Sequence, residues 1–311
     1  MYRVGLAFAA LLLAGSTQAQ VPGDSMTLRH FYVEVAPAES LRVTTVGGGD
    51  PIVFIPGLFG SAFGYRHLLA ALPAIGHGAV VIEPLGIGSS PRPHKASYSL
   101  TSQSERLSTA LGRLGIGPAV VVAHAVGASM ALRLAYRHPE QVKAIVSLDG
   151  GPAEAAATPG FRKAMRYVPW VKWLGGMKRL RPKIREGLVA ASADTSWVTD
   201  AVVAGYTEGA QADLDGTLLA FLAMAEAREP EPLAPHLGEI RCPVRLVIGT
   251  APHQGRIPEG EIALLADRLP TFAVDSVSGA GQYLFEERPA AVVAVIRDVV
   301  QSLSPSVGLA H

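Results

Sequence analysis

The chain predicts an α/β fold: a mostly parallel sheet with helices on both faces. Three observations carry this. First, several short stretches are apolar without interruption, among them Pro51-Ile52-Val53-Phe54-Ile55, Val80-Val81-Ile82-Glu83, Val120-Val121-Val122-Ala123 and residues 142–148, as expected of strands buried on both faces. Second, helical patterns separate these runs at short spacing, which favours right-handed crossovers between parallel strands. Third, 311 residues with 49% hydrophobic and 17% charged content are ample for a large core.

The elements follow in order. Alternating runs at 28–35 and 41–45, separated by Pro37-Ala38-Glu39-Ser40, read as an antiparallel hairpin at a sheet edge. The strand ending at Ile55 runs into Pro56-Gly57-Leu58-Phe59-Gly60-Ser61, and a helix is expected over 65–72. The strand ending at Glu83 leads to Pro84-Leu85-Gly86-Ile87-Gly88-Ser89-Ser90, and a helix opens at Ser99 and closes at Gly115-Ile116-Gly117. The 120–123 strand then turns abruptly through His124-Ala125-Val126-Gly127 into another helix, and the 142–148 strand closes on Asp149-Gly150-Gly151. Two further strands are expected at 243–249 and 271–277, and a closing helix over 290–303.

Residues 1–19 have a charged start, an apolar run and a small-residue end, the three regions of a secretory signal, with cleavage expected after Ala19. The apolar run is shorter than the roughly 20 residues of a membrane span. The expected destination is a periplasm or the cell exterior. Cys242 is the only cysteine, so no internal disulfide can form. A net charge of +1 gives no general attraction to nucleic acid. The histidines lack metal-ligand spacing, and Gly57-Leu58-Phe59-Gly60 lacks the G-x-G-x-x-G spacing of a dinucleotide site, so neither a metal nor a cofactor is expected.

With the hairpin, the Pro-Gly-Leu-Phe-Gly turn, the Glu-Pro-Leu-Gly-Ile-Gly-Ser-Ser loop, the sharp turn at Ala125 and the strand ending Leu-Asp-Gly, the chain resembles the α/β-hydrolase superfamily over residues 28–152 and 240–302. The resemblance implies a core of 20–152 and 241–311 and an inserted helical cap of 153–240, after the leader 1–19. It also implies an acyl-transfer site with four parts: a nucleophile, a histidine, a carboxylate and two backbone donors. Leu58 and Val126 match the backbone donors of the oxyanion hole. The nucleophile position, however, is Ala125, and the pattern that should deliver the histidine reads Gly279-Ala280-Gly281-Gln282. A methyl group cannot attack a carbonyl, and glutamine cannot exchange a proton near neutrality.

The loop after residue 249 carries no acid, whereas Asp149 matches an alternative acid position of the superfamily. Asp149 is therefore the candidate retained acid, and His253, on the acid-free loop, is its candidate partner. Ser61, Ser89, Ser90 and Tyr283 are candidate ligand contacts. His124 precedes the turn, at a position that is usually structural in the superfamily.

Residues 162–185 carry nine basic side chains and no acid, suited to a solvated cap face or a peripheral contact with an anionic membrane. Phe161, Trp170, Trp173, Trp197, Leu218, Phe221 and Leu222 are candidate lining for an apolar pocket. Three functions fit: a catalytically degenerate protein that keeps its pocket for a small apolar or ester-like molecule or a partner; an enzyme of non-standard chemistry using Asp149, His253 or Tyr283; and a serine hydrolase carrying inactivating substitutions. The leader makes one prediction. N-terminal sequencing of the chain secreted by an expressing cell should begin at Gln20, and a chain that retains Met1 counts against export.

Overall fold

The computed structural model describes residues 27–156, 162–163 and 176–303. Eight strands form one sheet: β1 Arg29–Ala36, β2 Glu39–Val46, β3 Ile52–Ile55, β4 Ala79–Glu83, β5 Ala119–His124, β6 Val142–Leu148, β7 Val244–Gly249 and β8 Phe272–Val277. Their spatial order is β1-β2-β4-β3-β5-β6-β7-β8. The hairpin pairs antiparallel with itself and with β4, and every pairing from β4 to β8 is parallel.

Strand periodicity divides the core. Val53, Ile55, Val121, Ala123 and Ile145 point to one face of the sheet, against Leu107, Met130 and Leu132. Ile52, Phe54, Val120, Val122, Ala144 and Val146 point to the other, against Leu68, Val292 and Ile296. Both faces are covered by helices, so these strands have no solvated side and carry no alternation of polar residues.

The helices are α1 Arg66–Ala71, α2 Leu100–Arg113, α3 Val126–Arg137, α4 Met177–Ala190, α5 Asp200–Tyr206, α6 Glu208–Ala212, α7 Leu214–Glu226, α8 Glu259–Arg268, α9 Leu284–Glu287 and α10 Pro289–Leu303. Ser99 starts α2 by accepting the Ser102 amide at 3.0 Å. The amides of Leu100 and Thr101, at the same helix start, bond to the carboxylate of Glu229 at 2.6 and 2.9 Å, across 129 and 128 residues of sequence. The helix expected at 65–72 is shorter, because 3₁₀ turns at Ala62–Tyr65 and Leu72–Ile75 take up both ends. Helix α8 was not expected from the sequence.

The leader, Phe161, Tyr167, Trp170, Trp173 and residues 304–311 lie outside the described residues. So do the cations of the basic segment between 164 and 175. Of its described cations, Arg181 binds Gln211, Lys183 binds Glu186 and Arg185 binds Asp200.

The turn from β5 to α3 is closely packed, backbone against backbone. Ala125 has φ 48° and ψ −121°, a region that costs a non-glycine residue about 1–3 kcal/mol. A Cβ on Gly127 would lie 2.7 Å from the Ile55 carbonyl oxygen, and one on Gly57 would lie 2.9 Å from the His124 oxygen. One on Gly150 would run into the Ala125 carbonyl. Because the obstructing atoms are backbone, Gly127→Ala should destabilise by about 1–3 kcal/mol in urea unfolding. Gly112→Ala, in α2 with open space around it, should instead stabilise by up to about 1 kcal/mol.

Candidate functional site

The turns after β3 and β4 and the loop after β8 border a cleft of about 2200 Å³. Leu58 lies on its wall, and Val126 opens α3 immediately after the strained tip. Gly60 donates to the Gly57 oxygen at 2.8 Å, and the Ala62 amide donates to Glu83 Oε1 at 2.8 Å, so the turn that carries the Leu58 amide is held from two sides. The two backbone positions that the resemblance assigns to an oxyanion hole thus lie in a turn after β3 and at the start of α3.

The proton-transfer positions differ. Ala125 offers a methyl group at the tip. Gln282 lines the cleft, but its Nε2 donates to the Gly255 oxygen at 3.1 Å, which ties its amide to the loop after β7. Its backbone is fixed as well: the amide donates to the Ala191 oxygen at 2.8 Å, and its carbonyl accepts from His124 Nε2 at 3.3 Å. Glu287 accepts the amides of Gly281, Ala193 and Asp194, fastening this loop to the segment after α4.

Asp149 and His253 are brought together, with Nε2 of the ring 2.9 Å from Oδ2 of the carboxyl. His253 Nδ1 is 2.7 Å from the Ala251 carbonyl, which can only accept, so Nδ1 carries a hydrogen. One further proton must then lie between Nε2 and Oδ2, and the pair is either imidazolium with carboxylate or imidazole with carboxylic acid. Burial raises the Asp149 pKa, while the His253 contact, the Ile257 amide and the Arg256 charge oppose the rise. Both side chains have 0% exposure, and neither lies on the cleft wall.

The other candidates separate clearly. Ser61, Ser89 and Tyr283 are on the wall. Ser90 is buried below it, donating to the Glu83 oxygen at 2.6 Å and accepting the Arg42 amide at 2.8 Å. Burial raises the Tyr283 pKa, so its phenol stays protonated. Leu218 and Phe221 line the cleft, and Phe221 meets Phe59 edge-on at 5.3 Å. Trp197 and Leu222 are not on the wall; Trp197 packs on Tyr206 and Tyr283 instead.

Two further carboxylates organise the site region, and neither is marked out by the sequence alone. Glu83, buried at the end of β4, accepts the amides of Ala62 and Ser89 and joins the loops on either side of the cleft. Burial raises its pKa, and the two amides with Arg42 and Arg92 oppose the rise. A glutamate ending a Val-Val-Ile run was the available signal. Glu286 accepts from Arg66 and from the Tyr206 hydroxyl, linking α1, α5 and α9. Among the described residues, no group of His, Cys, Asp and Glu is arranged to hold a metal ion, and no helix is long and apolar enough to cross a membrane.

With this geometry in view, comparison with known proteins is informative. A family model described as the alpha/beta hydrolase fold matches residues 50–188. This is an α/β-hydrolase-fold chain. A solved structure of an epoxide hydrolase without ligand superposes with a TM-score of 0.75 at 18% identity, covering 89% of this chain and 100% of the other. A thermophilic esterase from Thermogutta terrifontis gives 0.70 at 17%, covering 88% and 99%. Among curated sequences, bifunctional epoxide hydrolase 2 of Rattus norvegicus is 32% identical over 130 residues, 42% of this chain and 24% of that protein. An sn-1-specific diacylglycerol lipase of Mus musculus is 36% identical over 123 residues, 38% and 39% of the two chains. The chain thus spans about a quarter of the first relative and two fifths of the second.

His124 makes the site region sensitive to pH. Buried and packed between Tyr283 and Phe285, its ring pKa is pushed down to about 4 by desolvation. The folded value lies below the ordinary value of about 6.5, so the unfolded chain takes the proton first as pH falls. Stability from this group is full above about 6.5 and declines down to about 4. Between pH 7 and pH 5 the urea-unfolding free energy should fall by about 2 kcal/mol on this account. His124→Gln, which keeps a donor for the Gln282 oxygen, should lose that part of the pH dependence.

Proposed function

We propose that this chain is a ligand-binding member of the α/β-hydrolase fold that does not perform serine-type acyl transfer, and that its cleft holds an apolar small molecule. The observation that carries this is the pairing of Ala125 at the strained tip with Gln282 bonded away to Gly255. Acyl transfer by this fold needs a nucleophile within reach of a base. Position 125 offers no nucleophile and position 282 no base, and Asp149 is engaged by His253 in a buried pair. The backbone donors and an aromatic and aliphatic wall remain, which suits binding by shape and apolar contact. The names of the relatives, an epoxide hydrolase and a diacylglycerol lipase, agree with an apolar ligand. Export, supported by the leader-like residues 1–19, is part of the same proposal.

The test has two arms. Native mass spectrometry of the purified full chain should detect a bound apolar small molecule, and stopped-flow assay with a short p-nitrophenyl ester should show no stoichiometric burst. Ala125→Ser with Gln282→His should still lack efficient turnover, because Asp149 already holds His253 and the new histidine has no orienting acid; an unoriented histidine costs roughly 10⁴-fold in kcat. Turnover of an ester, epoxide or lactone by the unaltered protein, abolished in Asp149→Asn or His253→Ala, would overturn the proposal.

A further inference from the structure

Several buried or half-buried arginines of the described chain contact a carboxylate: Arg66 pairs with Glu286, Arg106 with Glu39, Arg133 with Glu154 and Arg245 with Asp275. Arg42 on β2 and Arg92 after β4, both on the cleft wall, behave differently. Arg42 Nη1 donates to the Tyr32 hydroxyl at 3.4 Å and Arg92 Nη2 to the Gly88 carbonyl, both neutral oxygens. Each also has an Nε–H shut away from water with no hydrogen-bond partner. Glu83 feels both charges, but its oxygens are taken by the amides of Ala62 and Ser89. Asp213 and Glu208 act only through charge, Asp213 on Arg92 and Glu208 on His30. Burial pulls the Arg92 pKa down, and the charges of Asp213 and Glu83 oppose the fall.

These two arginines adjoin the apolar wall. The Arg42 amide and the Arg92 guanidinium both bond within the turn after β4, at Ser90 and Gly88. Helix α7 lies over the same turn, with Met224 and Ala220 closing on Gly86, and it also presents Leu218 and Phe221 to the cleft. One helix therefore borders a cationic end and an apolar stretch of one cavity. Guanidinium groups with free N–H bonds match oxyanions, with hydrogen bonds roughly twice as strong as neutral ones.

We propose that the ligand is an anionic amphiphile, its carboxylate or phosphate head held between Arg42 and Arg92 and its alkyl chain lying along Phe59, Leu218 and Phe221. The proposal rests on the ligand-binding reading above and narrows it to a chemical class.

Calorimetric titration of the full chain with dodecanoate, dodecyl phosphate and dodecan-1-ol, each below its aggregation threshold, tests it. The unaltered protein should bind at least one anion about tenfold or more tighter than the alcohol, the scale of one charged hydrogen bond. A phosphate preference assigns a tetrahedral head and a carboxylate preference a planar one. Arg42→Met with Arg92→Met should bring the anions to the level of the alcohol, and an unchanged far-UV circular dichroism spectrum reports an intact fold. Phe221→Ala should weaken all three alike. Equal binding of anions and alcohol by the unaltered protein overturns the head-group proposal while the apolar-ligand reading stands, and this arm needs no variant. An anion preference that survives the double substitution also overturns it. Binding of none of the three overturns both.

Discussion

The packing of backbone against backbone around Ala125 constrains everything near the cleft. Strand β5 and helix α3 can meet this closely only because Gly57, Gly127 and Gly150 leave room where a Cβ would strike a carbonyl oxygen. The reward is positional. The Ala125 amide bonds to the Leu148 oxygen and its carbonyl accepts from Ala128, so the tip is clamped between β6 and the first turn of α3. A conformation costing about 1–3 kcal/mol is thereby over-determined by its surroundings, whatever side chain it carries. This explains how the turn persists with alanine at its tip: the strain belongs to the crossover that joins the sheet halves, and no hydroxyl is needed to maintain it.

Around this turn, buried carboxylates work as brackets. Glu83 ties the loop after β3 to the loop after β4, Glu286 ties α1 to α5, Glu287 ties the Gln282 loop to the segment after α4, and Glu229 caps α2 from the segment after α7. Each accepts backbone or side-chain N–H or O–H groups from elements distant in sequence, which offsets the cost of burial. Bracketed loops hold a cleft open without filling it. Glu83, Glu229 and Glu287 are thereby removed from acid–base work, since both oxygens of each accept N–H or O–H groups.

The sheet was legible because double burial writes itself as uninterrupted apolar runs, and the tip because small residues crowd a strand-to-helix turn. His253 is a candidate partner of Asp149 because it lies on the loop where the superfamily's acid would sit, and the strands leading to the two residues, β6 and β7, are paired. That the pair would be sealed away from the cleft was not legible, since it depends on packing around the 250–257 loop. The brackets were hidden for a similar reason. Whether a glutamate is solvated or buried under two amides depends on where loops twenty or two hundred residues away end up, as with Glu83 and Ala62 or Glu286 and Arg66. Trp197 illustrates the limit for apolar residues, because composition cannot distinguish a cleft wall from the aromatic stack behind it.

On the binding reading, the Asp149–His253 pair bears most directly on whether this scaffold is one substitution away from hydrolysis. In a triad the carboxylate acts on the histidine that faces the nucleophile, fixing its tautomer and stabilising its charged form. Here Oδ2 of the carboxylate meets an imidazole whose other nitrogen is held by Ala251, and both side chains are shut away from solvent. Restoring a hydroxyl at 125 would supply a nucleophile without a base; restoring an imidazole at 282 would supply a base without an orienting acid. Freeing the acid would uncover a buried carboxyl whose pKa burial already raises, leaving it without the contact that most opposes that rise. Because triad members act as a unit, each partial repair recovers little. On the binding reading, selection on this cleft acts through its walls and its charge pattern, and the sealed pair serves as a rigid strut beneath them.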